Sequence, residues 1–399
     1  MERVDVSVER NRLLIARTTL VHRRELVGRL RPGRRLQVVI GARGVGKSTA
    51  VRQYAKLSLP PAQTALLSLE DLVFDESTLF DVVAYLYDQG IRHVLLDEVH
   101  RYRQWSREVK LLYDGYEDLR LVVTGSSVAA LTSGNFDLSR RAARFELPGL
   151  SWREYELLRH GRELPRVDLA DVTQRTAELT AAVVKLAPAP VRRFGSYLRG
   201  GYFPFRLEED DEEVYLQRVR ASAMLAIDQD VVLTAGIRPE TAHKLKRLLG
   251  LIAGNVPYTP NLSTVAQQLA ADRKTVYQLL DLLDRSLLVR RLWAPGATPK
   301  VLAKPEKLYL QNTNLAAALG PVDGGTLRET AFAMAVGERY DVRAGLRGDF
   351  AVEGIEFEVG GPGKTRGQIA SAERGFRVVD RVEVGGGDRI PLYLFGLLH

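Results

Sequence analysis

GARGVGKS, residues 41–48, lies between an apolar run, LQVVI at residues 36–40, and a segment with helical spacing at residues 47–57. The stretch satisfies the phosphate-binding pattern GxxxxGK[ST], which requires a strand before it and a helix after it. In such a loop backbone N–H groups surround the phosphates, a lysine reaches the β- and γ-phosphates, and a hydroxyl ligates Mg²⁺. The sequence therefore predicts a nucleotide-binding loop, with Lys47 and Ser48 in the last two roles. The expected nucleotide contacts are Gly41, Ala42, Arg43, Gly44, Val45, Gly46, Lys47, Ser48 and Thr49.

The segments around this loop alternate between apolar runs and helical spacing. Short apolar runs bounded by turns predict buried strands, and strands that alternate with helices predict a parallel sheet covered on both faces. Ligands bind such sheets at the carboxyl ends of the strands. We therefore expect an α/β core. Its expected strands are residues 36–40, 64–69, 93–96 and 119–124, and its expected helices are residues 21–35, 47–57, 78–89 and 105–113.

Two adjacent carboxylates close the apolar run in HVLLDEVH, residues 93–100. We expect Asp97 to lie at the sheet edge and hold the magnesium shell, and Glu98 to orient and polarise the attacking water. The letters DEVH also fit the DExH box of helicases. The sequence shows neither an arginine-rich QxxRxxR-type segment nor a second RecA-like sheet downstream, and this disfavours the helicase interpretation.

The next apolar run, LRLVVTGSS at residues 119–127, ends on hydroxyl side chains. Thr124 and Ser126 are expected beside the γ-phosphate, where a polar residue can sense the nucleotide and help to position water. Hydroxyls also cap turns without any chemical role, and the sequence leaves both interpretations open. It contains no Asn-Lys-x-Asp element for guanine recognition, which favours ATP over GTP.

The composition is typical of a globular protein, with 45% hydrophobic and 27% charged residues among 399, and the length predicts two or three domains. The absence of cysteine excludes disulfides, thiolate zinc sites and thiol nucleophiles. Charges interrupt the first residues where a secretory signal needs an apolar run, and no stretch approaches the roughly 18 apolar residues of a membrane span. We expect a cytoplasmic protein with no membrane partner. The net charge of +8 suits nucleic-acid binding, although arginine spread along a chain is also a common solubility feature.

The pattern changes after residue 150, where the chain becomes mostly helical and then, beyond residue 297, glycine-rich with short strands. The change predicts a helical lid followed by smaller domains. The expected division is a P-loop core with an N-terminal helix at residues 1–150, a helical lid at 151–255, a helix-turn-helix region at 256–297 and an α/β domain at 298–399.

Four motifs together resemble a large prokaryotic family of AAA+ ATPases: GARGVGKS, LLDEVH, VTGSS and ELPGLSWREY. Three later segments, LYLQNTNLAAAL, GTLRET and FEVGGPGK, resemble one branch of that family. In the family the P-loop core is followed by a winged helix and by a C-terminal domain similar to a decayed restriction endonuclease. The resemblance covers nearly the whole chain and implies ATP binding and hydrolysis with Mg²⁺, with the winged helix at residues 256–297 and the nuclease-like domain at 298–399.

The resemblance also implies an arginine that reaches the ATP of a neighbouring subunit. Arg140 and Arg141, in LSRRAARFEL, are the candidates by position, and Arg144 competes with them. Such an arginine stabilises charge on the transferred phosphoryl group. Its supply by a neighbour implies a homo-oligomer such as a ring. The alternative is a solvated basic face on a helix.

The segment STVAQQLAADRKTVYQLLDLLDR, residues 263–285, has the apolar spacing of two helices joined by a turn. Residues at the start of the second helix are expected to project toward a DNA groove. Folds of this kind also serve as protein contacts, and this alternative stays open. The expected DNA contacts are Arg273, Lys274, Thr275, Tyr277 and Gln278, and the expected apolar face is Val265, Ala266, Leu269, Val276, Leu279, Leu280 and Leu283.

Restriction-like nucleases use two acidic metal ligands and a lysine two positions after the second one. Resemblance to them implies the acidic series Glu329, Asp349 and Glu358, but Gly360 occupies the lysine position and the nearest lysine is Lys364. We therefore expect a domain kept for binding, with cleavage lost, unless the glycine-rich loop folds Lys364 back toward the carboxylates. Ordinary carboxylates at strand ends are the alternative interpretation.

Taken together, these features predict an AAA+ ATPase that converts ATP binding and hydrolysis into a conformational change acting on DNA or on a protein partner. Two other classes remain open. One is an ATP-regulated DNA nuclease, and the other is an ATP-binding switch with little turnover.

Overall fold

The computed structural model describes residues 2–125, 138, 140–298 and 303–399. The chain forms two compact units. The first unit comprises Met1–Pro148 and Leu225–Ala242, and the second comprises Gly149–Met224 and His243–His399. The chain therefore leaves the second unit at residue 224, contributes one segment to the first unit, and returns to the second.

The first unit is built on a parallel five-stranded sheet. Its strands are β1 (Leu36–Ile40), β2 (Thr64–Ser68), β3 (His93–Asp97), β4 (Arg120–Gly125) and β5 (Ala143–Glu146). Their order is β2-β3-β4-β1-β5. Because the strands are parallel and β4 lies between β1 and β3, the carboxyl ends of these three strands meet at one edge. The expectation of a parallel α/β core is confirmed.

Helices flank this sheet. They are α1 (Glu2–Arg17), α2 (Glu25–Arg29), α3 (Lys47–Ser58), α4 (Val73–Glu76), α5 (Leu79–Asp88) and α6 (Trp105–Gly115), with 3₁₀ turns at Pro61–Gln63 and Val99–Arg101. The start of α5 shows why the local sequence folds this way, since the Thr78 side chain accepts a hydrogen bond from Asp81 N at 3.1 Å and so caps the helix. Val82, Val83 and Leu86 of α5 are buried in the core of the unit.

Two local interpretations need correction. The helix expected at residues 21–35 is confined to Glu25–Arg29, because the chain turns extended at Leu30 before Pro32, whose ring cannot continue a helix. The alternative interpretation of the arginines in LSRRAARFEL, a basic face on a helix, does not hold at Arg144, which lies on the edge strand β5. Short charged strands such as β5 lack the apolar run that marks a buried strand.

The second unit contains the remaining strands and most of the remaining helices. A mixed sheet has the order β12-β11-β10-β9-β8, and β6 pairs with β7 antiparallel. The strands are β6 (Val289–Leu292), β7 (Lys307–Leu310), β8 (Arg343–Ala344), β9 (Phe350–Val352), β10 (Ile355–Gly360), β11 (Gly375–Val379) and β12 (Arg389–Pro391). The helices after residue 150 are Trp152–His160, Leu169–Gln174, Thr176–Leu186, Pro190–Gly200, Glu212–Leu225, Val232–Ala235, Pro239–Ala253, Leu262–Gln268, Arg273–Arg285, Thr313–Leu319 and Gly324–Gly337, with a π-helical turn at Ala226–Val231 and 3₁₀ turns at Pro204–Leu207 and Leu392–Leu397.

The lid, the helix-turn-helix region and the C-terminal domain expected from the sequence contribute to the second unit, apart from Leu225–Ala242. The two helices expected at residues 263–285 are present as Leu262–Gln268 and Arg273–Arg285, and their expected apolar face is buried. The four-part division itself stays a prediction. Among the helices of the described ranges, none has the length and apolar character needed to cross a bilayer.

Candidate nucleotide site

The loop after β1 has the backbone geometry that its glycines permit. Gly44 and Gly46 adopt φ values of 86° and 90°, a region that residues with a Cβ rarely enter. Gly41 is required for a different reason, because a Cβ there would lie 2.3 Å from the backbone oxygen of Leu147. The loop leads directly into α3, so its amides lie at a helix N-terminus, where anions bind.

Lys47 is the first residue of α3 and is 5% exposed. Its Nζ donates hydrogen bonds to the carbonyl oxygens of Gly41 and Ala42, at 3.0 and 2.9 Å. Burial lowers the pKa of Lys47, and the nearby charges of Glu98 and Asp97 oppose that shift. The amine is thus held inside the loop by neutral carbonyls, which a phosphate could replace as a stronger acceptor.

Arg24 stabilises the phosphate-binding loop although it lies outside the motif. Its guanidinium donates to the backbone oxygens of Val45 and Pro148, at 3.1 and 3.0 Å, from a buried position. The sequence showed only a basic segment here, because nothing local marks which arginine of several turns inward.

Thr124 is hydrogen-bonded to Asp97 and Glu98, the two acidic residues at the end of β3. Its side chain is fully buried on β4, donates to Asp97 Oδ1, and accepts a hydrogen bond from Glu98 N at 3.2 Å. Thr124 therefore fixes Asp97 and the backbone of Glu98 relative to each other. Ser126, which shared the same expectation, lies outside the described residues.

Glu98 has an unusual backbone. Its φ of 55° and ψ of 41° are left-handed, a conformation that costs a non-glycine residue on the order of 1–3 kcal/mol and that clusters at functional sites. Burial raises the pKa of Glu98, and the positive charges of Lys47 and His100 act against that rise. The carboxylate faces the loop lysine in a partly desolvated position, which suits a general base.

Two residues that the sequence did not indicate complete the site. His100 Nε2 lies 3.4 Å from Glu98 Oε2 and 3.0 Å from Asp230 Oδ1. Asp230 Oδ1 also lies 3.1 Å from an Arg43 guanidinium nitrogen. Asp230 comes from the π-helical turn in the segment that returns to the first unit, so no local motif could place it here.

The donor set of the site fits Mg²⁺ bound together with a nucleotide. Ser48 supplies a hydroxyl in the first turn of α3, and Asp97 supplies a carboxylate at the end of β3. Mg²⁺ commonly uses one or two carboxylates plus substrate phosphates rather than an all-protein cage. In the described part of the chain no group of three or more His, Cys, Asp or Glu side chains could hold a metal by itself, which is compatible with that mode.

Residues 33–156 match the family described as AAA domain. This part of the chain is thus similar to an AAA domain. This match includes the phosphate-binding loop, Asp97, Glu98 and Thr124, while residues 191–326 match a family described only as a domain of unknown function, DUF8612.

Comparison with whole proteins gives a curated relative and several solved structures. The relative is the uncharacterized protein MJ1637 of Methanocaldococcus jannaschii, 29% identical over 289 residues that make up 68% of this chain and 60% of the relative. This chain thus spans about three fifths of that protein's length. A structure from work on katanin self-assembly matches 44% of this chain and 65% of its own, at 21% identity and a TM-score of 0.25. The structure of AMPPCP-bound DnaA from Aquifex aeolicus matches 65% of this chain and 84% of its own, at 14% identity and a TM-score of 0.28. At such scores the overall structures superpose poorly, so the fold assignment stands on the sheet order and on the AAA domain match.

The arginines considered for the ATP of a neighbour follow β4 in the sequence. Arg140 lies exposed in a turn and Arg144 lies exposed on β5. Arg141 is partly buried, pairs with Asp114 at 3.1 Å, and lies 5.9 Å from the centre of the Tyr113 ring. The structure therefore places them on a turn and a strand rather than a helix, and their role stays a prediction.

The expected DNA contacts lie at the start of the helix Arg273–Arg285 in the second unit. Arg273, Lys274 and Gln278 are exposed, and Thr275 and Tyr277 are half-buried. Arg273 donates to Ser263 Oγ at 2.6 Å, and Asp272 caps the helix by accepting from Thr275 N. The helix N-terminus is thus formed and carries two exposed cations, and contact of these residues with DNA stays a prediction.

The glycine-rich loop of the C-terminal region does fold back, contrary to our expectation. Lys364 Nζ pairs with Glu358, whose side chain is fully buried. A Cβ on Gly360 would lie 2.5 Å from the Lys364 side chain, so the glycine at the expected lysine position makes room for the later lysine. The missing lysine is therefore no longer an argument against cleavage.

The carboxylates of this cluster already have partners. Tyr309 donates to Glu329 Oε2 at 2.6 Å, and Val359 N donates to Asp349 Oδ2 at 2.9 Å. Burial raises the pKa of Glu329 and of Glu358.

Proposed function

We propose that the AAA domain binds ATP with Mg²⁺ and hydrolyses it to ADP and phosphate. The observation that supports this best is the meeting of three strand ends at one sheet edge. That edge carries the phosphate-binding loop with the buried Lys47, the carboxylates Asp97 and Glu98, and the hydroxyl of Thr124 that contacts both residues. The arrangement matches what phosphoryl transfer to water requires, which is charge neutralisation and a positioned base.

Each residue has a distinct role in this proposal. The Lys47 amine gives up its hydrogen bonds to the two loop carbonyls and binds the β- and γ-phosphates instead. The amides of the loop surround the oxygens of these phosphates. Ser48 and Asp97 hold Mg²⁺, which neutralises charge on the phosphates when bound. Glu98 accepts a proton from the attacking water. Thr124 keeps Asp97 and the backbone of Glu98 in a fixed relative position. Water attack in line with the leaving oxygen then needs little covalent chemistry from the protein.

Hydrolysis is proposed to change the conformation of the chain and to act on DNA or on a protein partner. The exposed cations at the start of the helix Arg273–Arg285 support DNA, since phosphate neutralisation by Lys and Arg is the main source of such affinity. We further propose a homo-oligomer, such as a ring, in which Arg140 or Arg141 reaches the ATP of a neighbour, in a protein that acts in the cytoplasm.

The test of ATP hydrolysis uses two substitutions with different expected defects. Lys47→Ala should lose ATP binding, because its amine supplies the charge that neutralises the phosphates. Glu98→Gln should keep binding and lose turnover, because a carboxamide fills the same space without accepting a proton. Calorimetric titration with ATP and phosphate release measured on the same preparations separate the two defects. Equal turnover in the wild-type protein and Glu98→Gln would show that Glu98 is not the base.

A second function, DNA cleavage by the C-terminal region, is favoured by one observation, the contact between Lys364 and Glu358. A lysine beside a metal-binding carboxylate can support deprotonation of a bound water. Against it stand the hydrogen bonds that already engage Glu329 and Asp349. We therefore consider DNA cleavage less well supported than a protein that hydrolyses ATP and leaves DNA uncut.

A further inference from the structure

Asp230 is a fully buried carboxylate within the nucleotide site of the first unit. An isolated charge in such a position would be very unfavourable, so it requires partners. Two of its partners are the Arg43 guanidinium of the phosphate-binding loop and the His100 ring, both bonded to the same oxygen. The carboxylate thus links the loop to the segment that follows Asp97 and Glu98.

His100 passes this link on to Glu98. Its ring is buried, and the single atom Nε2 lies 3.0 Å from Asp230 Oδ1 and 3.4 Å from Glu98 Oε2. Ionised carboxylates only accept hydrogen bonds, so Nε2 must carry a hydrogen to satisfy either of them. The hydrogen bond to Asp230 therefore fixes the ring in a position that leaves Nε2 3.4 Å from Glu98 Oε2, within ion-pairing distance.

The backbone of Asp230 adds a separate indication. It lies in the π-helical turn Ala226–Val231, and insertions of this kind are rare and frequent at functional sites. Glu98, at the other end of the link, has a left-handed backbone. Two unusual backbone conformations, at the two carboxylates that His100 Nε2 contacts, indicate that the geometry of this contact matters.

We propose that Asp230 is a positioning residue for ATP hydrolysis, which orients His100 so that His100 holds the Glu98 carboxylate for the attacking water. The inference rests on the proposed ATPase function and adds two residues to it. Arg43 places a positive charge 3.1 Å from Asp230 Oδ1.

The kinetic test compares Asp230→Asn with Asp228→Asn. Both substitutions remove one negative charge from the same π-helical turn, but the side chain of Asp228 is exposed. We expect Asp230→Asn to lower kcat by about ten- to hundredfold, the range for a misplaced catalytic group, with KM for ATP changed by less than about threefold. Asp228→Asn should keep the wild-type kcat. An unchanged kcat in Asp230→Asn, in a preparation whose wild type hydrolyses ATP, would overturn the proposal and leave the ATPase function standing.

A double substitution tests whether Asp230 acts through His100. If it does, His100→Gln combined with Asp230→Asn should have the kcat of His100→Gln alone, because the first change already breaks the link. Two losses that multiply would show independent roles and overturn the proposal.

A spectroscopic test does not depend on turnover. The chain has six histidines, so the side-chain ¹⁵N signals of His100 can be resolved in the wild-type protein. We expect Nε2 to carry a hydrogen, with a signal that moves in Asp230→Asn and in Glu98→Gln but not in Asp228→Asn. A His100 ring that is protonated only at Nδ1 would overturn the proposal whatever the kinetics show, and absent turnover in the wild type would instead refute the ATPase function.

Discussion

Substitution of Gly41 by alanine should both destabilise the first unit and weaken ATP binding. The added Cβ would lie 2.3 Å from the backbone oxygen of Leu147, whereas the shortest ordinary carbon-to-oxygen contacts are about 3.3 Å. One of the two backbones must therefore move by about 1 Å. Leu147 cannot move independently of β1, because its N–H donates to the Ile40 oxygen at 2.7 Å. The phosphate-binding loop is the part that shifts.

The magnitude follows from the cost of overpacking, which is about 1–3 kcal/mol. For a domain of this size each kcal/mol lowers the melting temperature by about 2–4 °C, so calorimetry should show a decrease of about 2–12 °C. ATP affinity should fall by about tenfold or more, since a tenfold loss needs only about 1.4 kcal/mol. Gly28→Ala is the matched control, because Gly28 is exposed and a Cβ there has nothing within 4 Å. A Gly41→Ala variant with the melting temperature and the ATP affinity of the wild type would refute this reasoning.

Three further predictions concern pH, DNA and cleavage. Because burial raises the pKa of Glu98 and only the ionised form accepts a proton, kcat should fall as the pH decreases through that raised value; an acid limb at or below about 4.3, the ordinary value for Glu, would contradict the assignment. Alanine at both Arg273 and Lys274 should weaken DNA binding and reduce the slope of log affinity against log salt by about one per lost phosphate contact, and an unchanged affinity in a salt titration would favour a protein partner. Supercoiled DNA incubated with the protein and Mg²⁺ or Mn²⁺ should stay uncut, and cutting that disappears in Asp349→Ala or Lys364→Ala would establish the nuclease.

The parts of the first unit that follow from local pattern were predictable from the sequence. The apolar run at residues 36–40 is β1 without any shift, and the helix after the loop begins at Lys47 as expected. Asp97 ends a strand because an apolar run stops there, and Thr124 lies near it because parallel strands place their carboxyl ends at one edge. The contact between Thr124 and Asp97 therefore follows from topology alone.

The remaining features depend on contacts between distant parts of the chain. Asp230 meets His100 across 130 positions, and no periodicity or motif marks a lone aspartate for such a contact. Lys364 reaches Glu358 because Gly360 has no side chain. From the sequence alone, the glycine at the expected lysine position was an argument against such a lysine. Arg24 is one of several arginines in its segment, and only the packing of the loop selects it.

Phosphate release from ATP with Mg²⁺, measured on the wild-type protein and on Glu98→Gln after both have been shown to bind ATP, tests the central claim most directly. Binding in both proteins, with release by the wild type and almost none by Glu98→Gln, is the result that the proposed function predicts. Release at the same rate from both, or from neither, would contradict it.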